Sequence, residues 1–221
     1  MSPGFWNWDW MGRNADVIGD RLLQHLILTG LAVGIGLVIA LPLAVAAYRH
    51  PRIYPPVAWF TGLLYTIPSL AALAMLYPLL GLSTTNAVTV LSSYTLLILV
   101  RNTVTGLRGV PADVKEAARG MGYTDRQLLW KVEMPLALPA IVAGIRIATV
   151  TTIGLVTVTA LIGQGGLGAL MVAGFRRLFP RIAILLGVTL SVALAVAADG
   201  GLLWIQRLLS PWARRTRERA T

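Results

Sequence analysis

The sequence predicts an all-α integral membrane protein with about five transmembrane helices, and three observations carry that expectation. The first is composition: 56% of the 221 residues are hydrophobic and only 13% are charged, about half the charge of an ordinary soluble domain. The second is the length of the apolar stretches. A helix needs about 20 apolar residues to cross a hydrocarbon core of about 30 Å, and segments 22–48, 55–80, 86–104, 136–162 and 182–206 meet that need. The third is that none of the five alternates strictly, which favours helices over barrel strands.

Residues 1–20 lack the basic stretch and small-residue cleavage site of a signal peptide. Their Trp6, Trp8 and Trp10 read as an interfacial anchor on an extracytoplasmic segment. The first span carries Gly30, Gly34, Gly36 and Pro42, whose ordinary use in membranes is close helix packing. In the second, Thr66-Ile67-Pro68-Ser69 predicts a kink flanked by hydroxyls, the best candidate for lining a polar path. The third span ends near Asn102.

Between the third and fourth spans, residues 106–139 are polar and helical in pattern. Pro111, Ala112 and Asp113 read as a helix start, with Glu116 in the first turn where a negative charge suits the helix dipole. Gly120 and Gly122 stop that helix, and residues 125–131 read as a second one. Two short helices joined by a glycine turn at a membrane surface would form a rigid knob able to dock into a cleft on another protein. Pro135 and Pro139 would stiffen its exit.

The last two spans each hold a charge. Arg146 lies seven residues past Pro139, about 10 Å along a helix, and Asp199 eight residues before Arg207, about 12 Å from the same side. Their similar depth makes them a candidate intramembrane ion pair near the inner mouth. The alternative is that each snorkels separately to the interface. Residues 208–221 form a basic tail, either a topology signal or a contact for anionic lipid.

The net charge of +10 arises from 17 arginines and two lysines. In a soluble chain that excess would point to nucleic acid. Here it orients the spans, because cytoplasmic segments of membrane proteins collect Lys and Arg. With the N-terminus outside and the C-terminus inside, 14 of the 19 basic residues fall on or near the cytoplasmic side. Arg176, Arg177 and Arg181 oppose the trend.

Bond chemistry is not expected. Without cysteine there is no disulfide or thiolate site, and the two histidines, His25 and His50, sit near predicted membrane surfaces. No paired carboxylates, Ser–His or Ser–Lys pair or HExxH stands in a span. No catalytic residue, metal or cofactor is therefore assigned. Gly163-Gln164-Gly165-Gly166-Leu167-Gly168 satisfies GxGxxG but follows a membrane helix, not a strand, so a flexible gate or re-entrant turn is the reading. No GxxxxGK[ST] motif occurs, so this chain is not expected to bind ATP itself. Trp59, Trp130, Trp204 and Trp212 lie near span ends and read as interfacial anchors, not an aromatic cage for a cation.

The spacing in the polar segment carries a resemblance. Glu116-Ala117-Ala118, three residues, Gly122, nine residues, Val132, one residue, Met134 and Pro135 resembles the EAA loop of importer-type ABC transporter permeases. Thr66-Ile67-Pro68-Ser69-Leu70, Arg101-Asn102-Thr103, Gly106-Leu107-Arg108-Gly109-Val110 and Pro135-Leu136-Ala137-Leu138-Pro139 are similar to permeases of osmoprotectant importers, as is Ala160-Leu161-Ile162-Gly163 with Gly165-Gly166-Leu167-Gly168. The likeness runs from about residue 21 to 206, within a domain of 21–207.

It implies the type I ABC importer permease fold in the cytoplasmic membrane. It also implies two ATPase subunits clamping Glu116, Ala117, Ala118, Gly120 and Gly122, a second permease copy or a paralogue, and an extracytoplasmic solute-binding protein. The implied cargo is a quaternary amine such as glycine betaine, choline or carnitine. Thr66, Pro68, Ser69, Asn102, Gly163, Gly165, Gly166 and Gly168 stand as candidate path or gate residues. The rival readings are an importer of the same fold for methionine or another small solute, a passive channel or ion-coupled carrier, and a membrane scaffold. A carrier would need no docking loop and would carry deep acids or inverted repeats.

Overall fold

A computed structural model describes residues 8–176 and 182–210. The described elements are helices: α1 (Trp8–Arg13), α2 (Ala15–Arg49), α3 (Tyr54–Thr66), α4 (Ser69–Leu80), α5 (Thr84–Arg108), α6 (Ala112–Gly120), α7 (Asp125–Leu128), α8 (Met134–Thr159), α9 (Gly168–Phe175) and α10 (Ile182–Leu209). A π-helical turn, Leu129–Glu133, joins α7 to α8, and a 3-10 turn, Ala160–Ile162, extends α8. Among the described residues four continuous helices are long and apolar enough to span, and α3 with α4, bent by 95° at the break between them, makes a fifth if the pair counts as one span.

The bend falls where the sequence places it. Ile67, before Pro68, is extended at φ −66° and ψ 127°, the conformation a following proline imposes. The Tyr94 hydroxyl donates to the carbonyl of Ile67 at 2.6 Å, so the broken turn keeps a partner in an apolar setting where a bare carbonyl would be costly. Past the bend, the buried Asn86 amide donates to Leu73 and Gly81 carbonyls at 3.1 and 2.9 Å. Ser83 caps α5 by accepting from the Asn86 N–H.

The core is the seam of α2, α5 and α8. Ala40, Ala44 and Ala47 of α2 pack on Leu99, Val100 and Val104 of α5 and Ala148 of α8. Small residues allow that approach. A Cβ on Gly144 would lie 2.6 Å from Asn102 Cβ, and one on Gly106 would lie 2.8 Å from Ala140 Cβ. Gly36 likewise abuts the Thr95 side chain. Gly30 and Gly34 do not follow the packing expectation: both face open space.

Other expectations are corrected. The helix that carries the first span starts at Ala15, seven residues before the apolar run, because the polar residues there simply continue its turns. Trp10 is buried against Ile182, Ala183 and Leu186, so it anchors α1 to α10 within the protein instead of facing an interface; Trp8 is exposed. Pro135 and Pro139 do not end a loop, because Asp125–Ile162 runs as one helix. Pro135 sits in the first turn of α8, where a missing N–H is tolerated next to the wider π turn. The short apolar helix α9 was not foreseen: its eight residues fall below the length that marks a span. Trp6, Arg177, Arg181, Trp212 and residues 211–221 lie outside the described residues.

Candidate functional site

The knob is built from two short helices with their own stop and start signals. At the end of α6, the Tyr123 N–H reaches the Ala118 carbonyl at 3.2 Å and the Gly122 N–H reaches Arg119 at 2.9 Å. This is a Schellman closure, which needs a left-handed residue at its glycine position, and Gly122 has φ +84°. Two residues on, Thr124 and Gln127 form a reciprocal capping box that starts α7. The chain reverses between two satisfied helix ends, which makes the knob stiff.

Glu116, Ala117, Gly120 and Gly122 are exposed, together with Met121. Ala118 is 2% exposed, which corrects the expectation that it reaches a partner: it lies on the inward face of α6, which packs on α7 and the π turn. The acid in the first turn of α6 is Asp113, not Glu116, because the helix begins at Ala112 and Glu116 opens its second turn.

Under the knob lies a polar cluster that sequence reasoning missed. Glu133, in the π turn, is 5% exposed and accepts from the Tyr48 hydroxyl at 2.6 Å. Lys115 of α6 stands 4.0 Å from the same carboxylate and 3.4 Å from the Tyr48 oxygen. Arg49 donates to the Asp125 carbonyl at 3.1 Å. A cavity of about 420 Å³ adjoins this cluster, with Arg49, Arg119 and Asp125 on its wall.

At the opposite end of α8 the glycine turn is tied to α2. His25 is fully buried. Its Nδ1 accepts from the Leu167 N–H at 3.2 Å, so Nε2 carries the proton and donates to the Ile153 carbonyl at 3.0 Å. His25 is thus an internal strut between α2, α8 and the glycine turn. Gly163, Gly165 and Gly166 all have positive φ, from +68° to +80°. A side chain on Gly165 would strike Gln24, and one on Gly168 would strike the Thr157 backbone. Gln164 donates to the Leu82 carbonyl at 2.9 Å and accepts from Thr84.

The candidate path residues are scattered. Thr66 and Pro68 are exposed and Ser69 half-buried at the α3–α4 bend. Asn102 is half-buried, bonded to its own helix at Ile98 and pressed on Gly144. Gly163 is exposed, whereas Gly165, Gly166 and Gly168 are buried.

Arg146 and Asp199 do meet: Nε and Nη2 donate to the two carboxylate oxygens at 2.9 and 2.8 Å, a bidentate pair. Gln206 accepts from the Arg146 Nη1 at 3.3 Å and donates to the Pro139 carbonyl. The pair lines a groove of about 540 Å³ between α8 and α10, floored by Ile147, Val150, Ala195 and Val196. Trp59, Trp130 and Trp204 are exposed on three separate elements.

Residues 22–215 match the family described as binding-protein-dependent transport system inner membrane component. This chain belongs to that family. Such an inner membrane component crosses the bilayer several times, in keeping with the four or five spans seen here. The chain is 40% identical over 203 residues to the osmoprotectant import permease protein OsmW of Salmonella typhimurium, covering 90% of this chain and 94% of that one. It is 36% identical to the carnitine transport permease protein OpuCD of Listeria monocytogenes, covering 92% and 91%. It is 37% identical to the glycine betaine/carnitine/choline transport system permease protein OpuCB of Bacillus subtilis, covering 85% and 86%.

Among solved structures, an inward-facing form of the MetNI methionine ABC transporter superposes with a TM-score of 0.79 at 23% identity, covering 87% of this chain and 95% of that one. An amino acid ABC transporter crystallised with histidines gives 0.76 at 17%, covering 91% and 98%. These likenesses establish the ABC importer permease fold.

Within this inner membrane component the polar cluster was hidden by register. Read as a regular helix, Leu129–Glu133 gives no sign that Glu133 points inward; the π turn adds a residue and rotates it under α6. The one available signal was the lone carboxylate between two aliphatics, Val132 and Met134.

Proposed function

We propose that this chain is the membrane-spanning permease subunit of an ATP-driven importer for a quaternary-amine osmoprotectant such as glycine betaine, carnitine or choline. The observation that carries the reading is the identity of 36–40% with permeases named for those solutes, sustained over at least 85% of this chain. The chain itself supplies no ATP-binding loop, so hydrolysis belongs to a separate subunit, and an extracytoplasmic binding protein delivers the solute.

Five spans leave an open groove on one side of α8 and α10. The path therefore forms between two permeases, either two copies or this chain and a paralogue. Two ATPase subunits grip the two knobs through Glu116, Ala117, Gly120 and Gly122, all exposed. Their closure draws the knobs together. Because Asp125–Ile162 is one helix, that displacement is delivered to α8 without a flexible joint and tilts the bundle toward the outward-open state.

The knob end faces the cytoplasm. That orientation puts the basic residues around it, from Arg49 to Lys131, on the side where Lys and Arg collect, with the N-terminus outside. Thr66, Pro68, Ser69 and Asn102 lie along the path, and the turn at Gly163, Gly165, Gly166 and Gly168 borders its outer mouth. The Arg146–Asp199 pair keeps two charges neutralised within spanning helices, where an unpaired charge is costly.

Gentle affinity purification from the native membrane with mass spectrometry of co-purifying chains tests the reading. Recovery of an ATPase and a solute-binding protein that takes glycine betaine, carnitine or choline is the expected result. A binding protein that takes only methionine would transfer the reading to a different cargo. Recovery of the chain alone across several detergents would overturn the importer assignment.

A further inference from the structure

We propose that Lys115, Tyr48 and Glu133 form a polar latch through which movement of the knob is passed to α2 as well as α8. The proposal rests on the reading that the knob docks on an ATPase. Three elements meet at one carboxylate: Lys115 from α6, Tyr48 from the end of α2 and Glu133 from the π turn leading into α8. On α6, Asp113, Glu116 and Ala117 are exposed, whereas Lys115 is turned inward with 18% of its side chain accessible. Docking chemistry and latch chemistry thus occupy opposite faces of one nine-residue helix.

The cluster is not a plain structural plug. Apolar residues of similar volume hold a buried seam at least as well as an ion pair does, and just beside it Leu107, Leu129, Ala137 and Ile141 do so. What charge adds is a contact that can change partners. The Tyr48–Glu133 bond is short at 2.6 Å, but Lys115 stands back at 4.0 Å, beyond the 2.7–2.9 Å of a tight charged hydrogen bond.

The adjoining cavity of about 420 Å³ opens onto Tyr48 and Glu133, and Arg49 and Arg119 on its wall offer Glu133 substitute cations when Lys115 parts from it. The knob therefore sits on a fixed Tyr48–Glu133 strut and a slack Lys115 tether. Drawing α6 sideways tightens or trades the tether, and the strut transmits the load to α2, which runs 35 residues to the far end of the bundle.

Three single variants, Lys115→Met, Tyr48→Phe and Glu133→Gln, test the latch in proteoliposomes holding the whole complex. Labelled glycine betaine, carnitine and choline serve as solutes. ATPase capture, ATP hydrolysis and solute moved per ATP are measured side by side. The expected result is retained capture and hydrolysis, with solute per ATP falling roughly fivefold or more, the scale of a typical coupling energy. Lys115→Arg, which keeps the charge, couples normally.

Tyr48→Phe removes a single oxygen, so it carries the test alone if Glu133→Gln does not fold. An unchanged ratio in the folded variants overturns the latch. Loss of ATPase capture in them, with the ratio of any remaining complex intact, also overturns it, since the cluster then only shapes the docking face. Failure of the wild-type chain to capture an ATPase strikes the docking reading itself and is seen before any variant is compared.

Discussion

At one end of the bundle α2 holds its neighbours through the buried His25, at the other through Tyr48 and Arg49. The first attachment is neutral, buried and closed: both His25 nitrogens are used, and glycine backbone is pressed against it with no room for a side chain. The second is charged, partly exposed and open, with a long Lys115–Glu133 contact and a cavity alongside. Substitution at the closed end should damage the fold, and at the open end the transmission of movement. That contrast separates a hinge post from a lever by chemistry alone.

The largest effect is expected at the closed end. His25→Ala strips the Leu167 N–H and the Ile153 carbonyl of their shared partner inside the protein. Unsatisfied buried groups and the cavity together cost about 2–4 kcal/mol. Thermal unfolding of the purified variant in detergent should show a marked fall in midpoint; an unchanged midpoint would mean that the post bears no load.

Gly168→Ala should cost somewhat less, about 1–3 kcal/mol, because its new methyl meets the Thr157 backbone, which cannot step aside. Gly120→Ala is its control for stability. Gly120 ends α6 with open space around it and no positive φ, so the same assay should register almost nothing. Equal losses at the two glycines would erase the contrast between the ends.

Midway between the ends, Arg146 and Asp199 sharpen it. Arg146→Asp or Asp199→Arg places two like charges where a bidentate pair stood, and either alone should abolish solute uptake. The double exchange should recover most of it, since the two positions face each other across α8 and α10. Uptake assays on the four proteins decide; no recovery in a double variant that reaches the membrane would mean that position-specific contacts matter more than the pairing.

What was legible in the sequence follows from which interactions are local. The stop at Gly122 and the new helix from residue 125 are written within a few residues, so the knob could be drawn from spacing, and Pro68 announced the α3–α4 bend. The Arg146–Asp199 contact followed from counting helical rise from two span ends, which works because both helices are regular between those points. His25 and Glu133 resisted for the opposite reason. Their partners are 128 and 85 residues away, and for Glu133 a π turn shifts the face on which it lies. The helix α9 was invisible because it is held by contacts such as Gly187 on the Leu167 carbonyl and Met171, not by length or capping of its own.

A small effect on stability, and the most informative one on function, is expected at Gly122. Its φ of +84° means that any side chain there is strained, but nothing lies near enough to be struck. Gly122→Ala should therefore cost only about 1 kcal/mol, confined to the α6 terminus, and leave the thermal midpoint close to that of the parent. Gly122→Asp sharpens the test: Asp tolerates the left-handed region better than Ala, so it relieves strain while planting a charge on the exposed turn. If Gly122 matters only for closing α6, Asp should be the milder change. If the turn enters a cleft on an ATPase, Asp should be the harsher one, with hydrolysis continuing and uptake lost. The order of the two variants in a coupled assay thus distinguishes a backbone requirement from a docking surface at the same residue.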